Sequence, residues 1–321
     1  MAQTKSGSVL LKQEPLARYT SWRVGGKADQ LFIADSVEDL QAFLHTLSIG
    51  EPVHFIGLGS NLLVRDGGVR GTVIVMHQAL SELHMDGERL YADAGVTCAK
   101  LARFSATQAK QGAEFMAGIP GTVGGALAMN AGCYGAETWN IVDQVKTIDL
   151  AGEIHVRDQA EYVATYRHVQ FPKAGEWFLG AWFKLEAGDA KESTQKIKQL
   201  LASRLASQPL NMPSAGSTFR NPEGTYAAKL IEECGLKGYI IGGAQVSEKH
   251  ANFIVNVGNA TALDIELLIK HIKEKVQAKH GIALHQEVRV IGEYEYGGRC
   301  KPIWESRRAT GWKVWRARSI A

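Results

Sequence analysis

Four glycines fall within eight residues in Gly118-Ile-Pro-Gly-Thr-Val-Gly-Gly125, and no other feature constrains the chain as strongly. A backbone without Cβ atoms can turn where other residues cannot, and can lie flat against a ring or a pyrophosphate. The same signature recurs. Gly25-Gly26, Gly57/Gly59, Gly67-Gly68 and Gly242-Gly243 each sit beside a short apolar run, and glycine totals 34 of 321 residues. Clusters of this kind mark tight turns or places where a ligand approaches the main chain.

The runs between these clusters predict both strands and helices. Leu31–Ala34, Val53–Ile56, Thr72–Met76, Arg89–Ala94, Val145–Leu150, Trp177–Leu185, Asn252–Val257 and Glu287–Ile291 are short, apolar and bounded by Gly, Asp or Asn, as strands are. Ser36-Val-Glu-Asp39 and Thr261-Ala-Leu-Asp264 have the capping-box spacing that opens a helix. Further helices are predicted from Thr97 to about Lys110, from Lys191 to Ala206 with Ile197, Leu200, Leu201 and Leu205 inward, and from Thr225 to Cys234. Irregular mixing of the two kinds implies an α+β class. Prolines in Ser207–Ser214 suggest a boundary there, and a weaker one lies near Ser81–Asp86.

Hydrophobic residues make up 45% and charged residues 21%, so a disordered, fibrous or coiled-coil chain is excluded. A net charge of +3 is too balanced to imply nucleic-acid binding. The four cysteines have no CxxC spacing, and the histidines no HExxH, so neither a disulfide framework nor a metal site is expected. With no apolar leader and no long apolar run, a cytoplasmic protein is expected. Residues 293–321 differ: they interleave seven Lys/Arg with Trp304, Trp312 and Trp315. They read either as a contact for an anionic partner or as a tail packed on the body.

Five segments carry candidate chemistry. Val53–Ile56 runs into Gly57-Leu-Gly-Ser-Asn61, which lacks the Rossmann spacing but presents consecutive N–H groups, as a phosphate nest or a plain tight turn would. Gly118–Gly125, continued by Asn130 and Gly132, reads as ligand-binding backbone. Ser214, Ser217, Thr218, Arg220 and Asn221 gather hydroxyls, a cation and an amide within Met212–Pro222, either for catalysis or as a Ser/Pro-rich loop; the GxSxG elbow of hydrolases is absent. Tyr166-Arg167 places an arginine between aromatics, functional or merely superficial. Glu287 and Arg289 share one face of a strand and can pair with each other.

Together, Tyr19-Thr-Ser-Trp-Arg-Val-Gly-Gly26, Gly57-Leu-Gly-Ser-Asn-Leu-Leu63, Gly118–Gly125 with Met129-Asn-Ala-Gly132, Tyr166-Arg167, Ala215-Gly-Ser-Thr-Phe-Arg-Asn-Pro222, Gly235-Leu-Lys-Gly238 and Glu287-Val288 resemble the UDP-N-acetylenolpyruvoylglucosamine reductase family. The resemblance implies an FAD-binding fold of the vanillyl-alcohol-oxidase/p-cresol-methylhydroxylase (PCMH) type, built from two α+β subdomains, with a C-terminal α+β substrate domain. On that reading residues 1–86 and 87–206 form the subdomains (the PCMH-type region spanning about 23–188), 207–292 the substrate domain and 293–321 a basic tail.

The resemblance also implies the reaction: NADPH reduces non-covalent FAD, which reduces the enolpyruvyl ether of UDP-N-acetylglucosamine to give UDP-N-acetylmuramate for peptidoglycan synthesis. Ser217 matches the family's proton donor, Arg167 the arginine of the Tyr-Arg motif and Glu287 its glutamate. Arg23, Gly57, Leu58, Gly59, Ser60, Asn61, Leu62, Gly118, Ile119, Gly121, Thr122, Gly124 and Gly125 match flavin-contacting segments, and Asn221, with Arg167, the substrate side. Val169 stands where the family often has serine, and the tyrosine-bearing loop of one subclass is missing, which points to the shorter subclass. Competing expectations are another FAD-dependent oxidase or dehydrogenase, or a non-catalytic flavin or nucleotide-sugar binder.

Overall fold

The computed structural model describes residues 2–3, 7–77 and 79–295. Five strands come first: β1 (Val9–Pro15), β2 (Lys27–Ile33), β3 (Val53–Ile56), β4 (Leu62–Val64) and β5 (Val69–Val75). Four of them form one sheet in the order β1-β2-β5-β3, with Ala2–Gln3 on its outer edge. The β1–β2 pairing is antiparallel, whereas β5 runs parallel to both β2 and β3. Parallel neighbours need a crossover. Helix α1 (Val37–Leu44) supplies one, opened by Ser36, whose side chain accepts from the Asp39 N–H. Strand β1 was not foreseen from the sequence, because its Lys12, Gln13 and Glu14 mask the alternation of an edge strand.

The second sheet contains β6 (Leu83–Asp86), β7 (Arg89–Asp93), β8 (Val142–Asp149), β9 (Ile154–Asp158) and, beyond a small hairpin of β10 (Val163–Thr165) and β11 (His168–Gln170), β12 (Glu176–Phe183). It is antiparallel throughout, in the order β9-β8-β12-β7-β6. Because β6 pairs with β7, this sheet begins before residue 87. Helices α2 (Cys98–Thr107), α3 (Val123–Met129) and α4 (Ala190–Ser207) pack on it around Leu101, Val123, Leu127 and Ile197. Leu205, expected to face inward, is 62% exposed: α4 has run past the edge of the core by its last turn. The two sheets meet through Phe32, Ile74, Leu40 and Leu44 on one side and Ala94, Ile148 and Leu179 on the other.

The C-terminal unit packs α5 (Ala227–Glu233) and α6 (Ala262–His280) on a small sheet of Ile240–Ile241, β13 (Ala244–Val246) and β14 (Ile254–Asn256). The capping box of Thr261 and Asp264 opens α6, and Gly281, at φ +68°, closes it in the left-handed conformation that glycine adopts without strain. Strand β15 (Arg289–Ile291) leaves this unit and lies parallel to β4, a shorter strand than the expected Glu287–Ile291. Residues 296–321, including the tryptophan-rich stretch, lie outside the described residues. No helix among the described residues is long and apolar enough to cross a membrane.

The first sheet and the C-terminal unit share a core. Trp22 and Val24, from the turn before β2, are buried among Phe219, Ile231, Ile254 and Leu268. The Trp22 indole donates to the Ile254 carbonyl at 2.7 Å, and the Trp22 carbonyl accepts from the Asn256 amide at 3.0 Å. Asp66 takes the N–H groups of Ala262 and Leu263, at 2.9 Å each, and so caps α6 from the stretch that follows β4. Replacing Trp22 by Ala should cost about 3–5 kcal/mol, the usual penalty for emptying a fully buried aromatic site. Trp22→Phe should cost less, chiefly the orphaned Ile254 carbonyl, about 1–3 kcal/mol. Guanidinium unfolding followed by far-UV circular dichroism measures both; an unaffected midpoint for Trp22→Ala would refute the anchoring role.

Candidate active site

The two glycine motifs meet in a cleft between the sheets. Gly57, Thr122, Gly124 and Gly125 line it together with Phe55, Met76, Phe171, Trp177 and Phe178. Phe55 stacks on Trp177 with ring centroids 4.7 Å apart, which gives the cleft a flat aromatic wall. A Cβ on Gly57 would lie 2.4 Å from the Thr122 hydroxyl, and one on Gly121 would lie 3.4 Å from the Ser60 hydroxyl. Glycine at 57 is therefore demanded by the contact between the loops themselves.

Gly118–Gly125 is only partly a loop, since its last three residues open a helix. Thr122 caps α3, whose first residues are Val123, Gly124 and Gly125. The N–H groups of Val123 and Gly124 are spent on the carbonyls of Val96 and Ala94, and that of Gly125 faces the Thr122 hydroxyl. A Cβ on Gly124 would meet that of Ala94 at 2.8 Å, so this glycine serves helix-to-sheet packing. The N–H groups of Leu58, Gly59, Ser60, Asn61, Gly121 and Thr122 have no protein acceptor among the described residues. Two adjoining stretches of uncommitted N–H beside an aromatic wall suit an anionic linker joined to a planar ring system. These residues fit FAD.

A second constellation lies where the β10–β11 hairpin meets the C-terminal unit. Arg167 occupies the hairpin turn at φ +56°, a left-handed conformation that costs a non-glycine residue about 1–3 kcal/mol and persists where the surroundings over-determine it. Its Nε donates to Glu287 Oε1 at 2.8 Å, and its Nη2 to the Gly132 carbonyl at 2.9 Å. The pair is largely buried, with side chains 18% and 14% exposed. Burial pushes the Glu287 carboxyl above its ordinary value of 4.5, against the opposing pull of Arg167 and, more weakly, Arg220. Glu287 does not pair with Arg289, as sequence adjacency suggested. Residues two apart on a strand share a face, but Arg289 is exposed while Glu287 turns inward to the hairpin.

Ser217 stands beside this pair. Its neighbour Thr218 accepts from the Glu287 N–H and donates to the Asn252 carbonyl, so the serine loop and the Glu287 segment run side by side. Ser217 itself is half-buried. The loop is held by Asn252, whose side-chain amide bonds both the N–H and the carbonyl of Phe219, at 2.9 and 2.8 Å. Asn252, expected only as the start of a strand, has no sequence signal for this role, because its bonds run to main-chain atoms of Phe219. Asn130, buried and left-handed at φ +42°, ties the hairpin in the same way through Thr165 O and Trp139 N.

The remaining expected residues are dispersed. Arg23 is exposed on the Trp22 turn at φ +59°. That turn reaches the first glycine motif through Ser21, which donates to Gly59 O. Asn61 bridges to the second constellation: its amide donates to Glu287 O at 3.2 Å, and its carbonyl accepts from Arg289. Leu58 and Leu62 are half-buried, and Leu62 opens β4. Gly118 lies behind the cleft against Cys133 and Tyr134, and Ile119 is buried in the second core. Asn221 is exposed, and its side-chain oxygen accepts from Ala227 N–H at the start of α5. Cys133 bonds Phe115 O, and burial raises its thiol to about 11.

Residues 28–157 match the family described as FAD binding domain. With the cleft above, this defines a flavin-dependent oxidoreductase of α+β, PCMH type. Residues 208–291 match the UDP-N-acetylenolpyruvoylglucosamine reductase C-terminal domain. The reductase of that name from Thiobacillus denitrificans is 52% identical over 298 residues, covering 88% of this chain and 92% of the relative. That from Nitrosospira multiformis is 53% identical over 307 residues, covering 88% of each. The crystal structure of UDP-N-acetylenolpyruvylglucosamine reductase from Thermus caldophilus aligns with a TM-score of 0.76 at 32% identity, over 88% of this chain and 98% of that one. The chain belongs to the UDP-N-acetylenolpyruvoylglucosamine reductase family.

The environment of Glu287 has a consequence for stability. A carboxyl whose native pKa is raised binds its proton more tightly folded than unfolded, so stability falls as pH rises from 4.5 through the native value. Glu287→Gln lacks this titration. The stability of wild type relative to Glu287→Gln should therefore decline on raising the pH across that window and then level off. Thermal unfolding of both proteins over a pH series checks this; a difference that is flat, or that grows in favour of wild type, would contradict it.

Proposed function

We propose that this chain reduces the enolpyruvyl ether of UDP-N-acetylenolpyruvoylglucosamine to UDP-N-acetylmuramate, with Ser217, Arg167 and Glu287 as its catalytic residues. What supports the assignment is that Arg167 bonds Glu287 across 120 residues, that Glu287 N–H bonds the carbonyl of Thr218 next to Ser217, and that Asn61 of the first glycine motif donates to Glu287 O. Bound FAD would supply the hydride chemistry that links NADPH to the vinyl carbon. Gly57–Leu62 and Gly121–Gly125 would hold it, with Arg23 on the adjoining turn. The sheet of β1, β2, β3 and β5 and the sheet of β6–β9 and β12 would then be its two binding subdomains. Residues from about 207 onward would form the substrate domain, with Asn221 on the substrate side as well as at the start of α5.

Reduction of the vinyl group leaves enolate charge next to the substrate carboxylate. Arg167 is fitted to neutralise it. Its Nε, one hydrogen of Nη2 and one of Nη1 are taken by Glu287, Gly132 O and Asn130 O, which leaves the remaining N–H groups of the fork for an anion. The fork cannot swing away, because both ends are held, so its field is aligned before charge develops. Glu287 orients Arg167, and burial keeps its carboxyl easier to protonate than an ordinary glutamate. In that state it donates a hydrogen bond to the developing enolate. Ser217 delivers the proton to the adjacent carbon, which keeps its bond to the ether oxygen. We assign the reaction to the cytoplasm, where NADPH and nucleotide sugars are found, and the flavin to a non-covalent mode.

Ser217→Ala separates the two half-reactions. Flavin content and flavin reduction by NADPH should be unchanged, because neither needs a proton on the substrate. Reoxidation by the enolpyruvyl substrate should fall by about 10²–10⁴, the usual weight of one general acid. Stopped-flow absorbance reads both steps. Equal slowing of the two, or reoxidation at the wild-type rate, would remove Ser217 from the role.

A further inference from the structure

Arg220 is the charged residue of the serine loop that the reaction leaves unused. Its backbone N–H donates to the His285 carbonyl, and Phe219 bridges to Gln286, so Arg220 and Glu287 hang from one short strand pair of the C-terminal unit. From there its Nη2 reaches across to the second sheet's hairpin and donates to the main-chain carbonyl of Arg167 at 3.2 Å. It makes no ion pair among the described residues, and its Nε is buried without a protein partner. Its one side-chain hydrogen bond to protein is therefore the grip on the hairpin, made by a half-buried guanidinium that is not spent on a carboxylate.

What it grips is the strained residue. Arg167 has a left-handed backbone in a position where glycine is absent, and its side chain must still meet Glu287. The contacts close a ring: Arg167 guanidinium to Glu287, Glu287 N–H to Thr218, Thr218 along the chain to Arg220, and Arg220 back to the Arg167 carbonyl. Each link crosses from one domain to the other or runs within the C-terminal strand pair. Loss of the Arg220 link frees the hairpin turn to relax toward ordinary φ, which rotates the Arg167 side chain away from its partner. We propose that Arg220 is a positioning residue, which holds the Arg167 main chain from the C-terminal unit so that the Arg167 fork stays aimed at Glu287 and the substrate. The charge of Arg220 also acts on Glu287 in the same sense as that of Arg167.

This inference rests on the role proposed for Arg167, and a double-mutant cycle on the FAD-loaded enzyme distinguishes failure of one from failure of the other. Arg220→Met should keep flavin content and flavin reduction by NADPH, and slow reoxidation by the enolpyruvyl substrate by about 10²-fold, as misplacement of a catalytic group does. Arg220→Lys, which keeps a donor of similar reach, should recover most of that rate. In an Arg167→Met background, Arg220→Met should add almost nothing, because it acts through the residue already removed. If Arg220→Met does not load FAD, Arg220→Gln, too short to reach the carbonyl, takes its place in the cycle against Arg220→Lys. Multiplying effects would mean that Arg220 contacts the substrate itself, and an unslowed Arg220→Met would mean it does nothing; either overturns the proposal. Unslowed reoxidation in Arg167→Met alone would instead overturn the underlying role of Arg167.

Discussion

Trp22 is where the molecule is held together. It belongs by sequence to the first sheet, yet its side chain is fully buried in the C-terminal core, and both its indole and its carbonyl are bonded to β14. The β4–β15 pairing, Asp66 at the start of α6 and Asn61 against Glu287 all lie within reach of that plug. Arg65 adds a forked bond to Glu266 on α6, with Tyr294 over its guanidinium. Apolar burial gives this interface its strength, and the directional bonds around it set the register. Because Glu287 and the serine loop belong to the C-terminal unit, that register decides where they stand relative to the glycine cleft.

The second dependence is on the hairpin of β10 and β11. It is a small excursion from the second sheet, and it would be free to move if nothing held its tip. Asn130 and Gly132, at the end of α3, take it from one side; Glu287 and Arg220 take it from the other. Arg167 is thus fixed by two domains at once. That accounts for a non-glycine residue in a left-handed turn: the strain is offset by contacts from both sides, two of them present only when the C-terminal unit is docked. It also accounts for the burial that raises Glu287, since the same docking removes water from around the pair.

The glycines divide into two kinds once the cleft is seen. Gly57 and Gly124 are required by protein contacts, with Thr122 and Ala94 respectively, and would be glycine whether or not a ligand bound nearby. The uncommitted N–H groups belong instead to Leu58, Gly59, Ser60, Asn61, Gly121 and Thr122. High glycine density therefore marks this site for two reasons that sequence alone does not separate: close approach of two loops, and exposed main chain facing the gap between them.

Much was legible in the residues themselves. Capping patterns at Ser36 and Thr261 and the runs that became β3, β7 and β12 are local, and local hydrogen bonding and side-chain periodicity determine them. The glycine motifs, Ser217, Arg167 and Glu287 stood out by composition and by resemblance. Misreadings came where a local rule met a distant competitor. Glu287 and Arg289 share a strand face, but Glu287 finds Arg167 across 120 residues of chain. Gly118–Gly125 reads as ligand-binding backbone, but within it the N–H groups of Val123 and Gly124 are claimed by the Val96 and Ala94 carbonyls. The positioning of Asn130, Asn252 and Arg220 had no local signature at all. Their hydrogen bonds run to main-chain atoms of other elements, and any residue supplies those atoms. Sequence by itself determined the elements, their caps and the kinds of chemistry present. Only the tertiary structure decided which side chains meet, because burial and pairing between domains depend on distances that no spacing along the chain encodes.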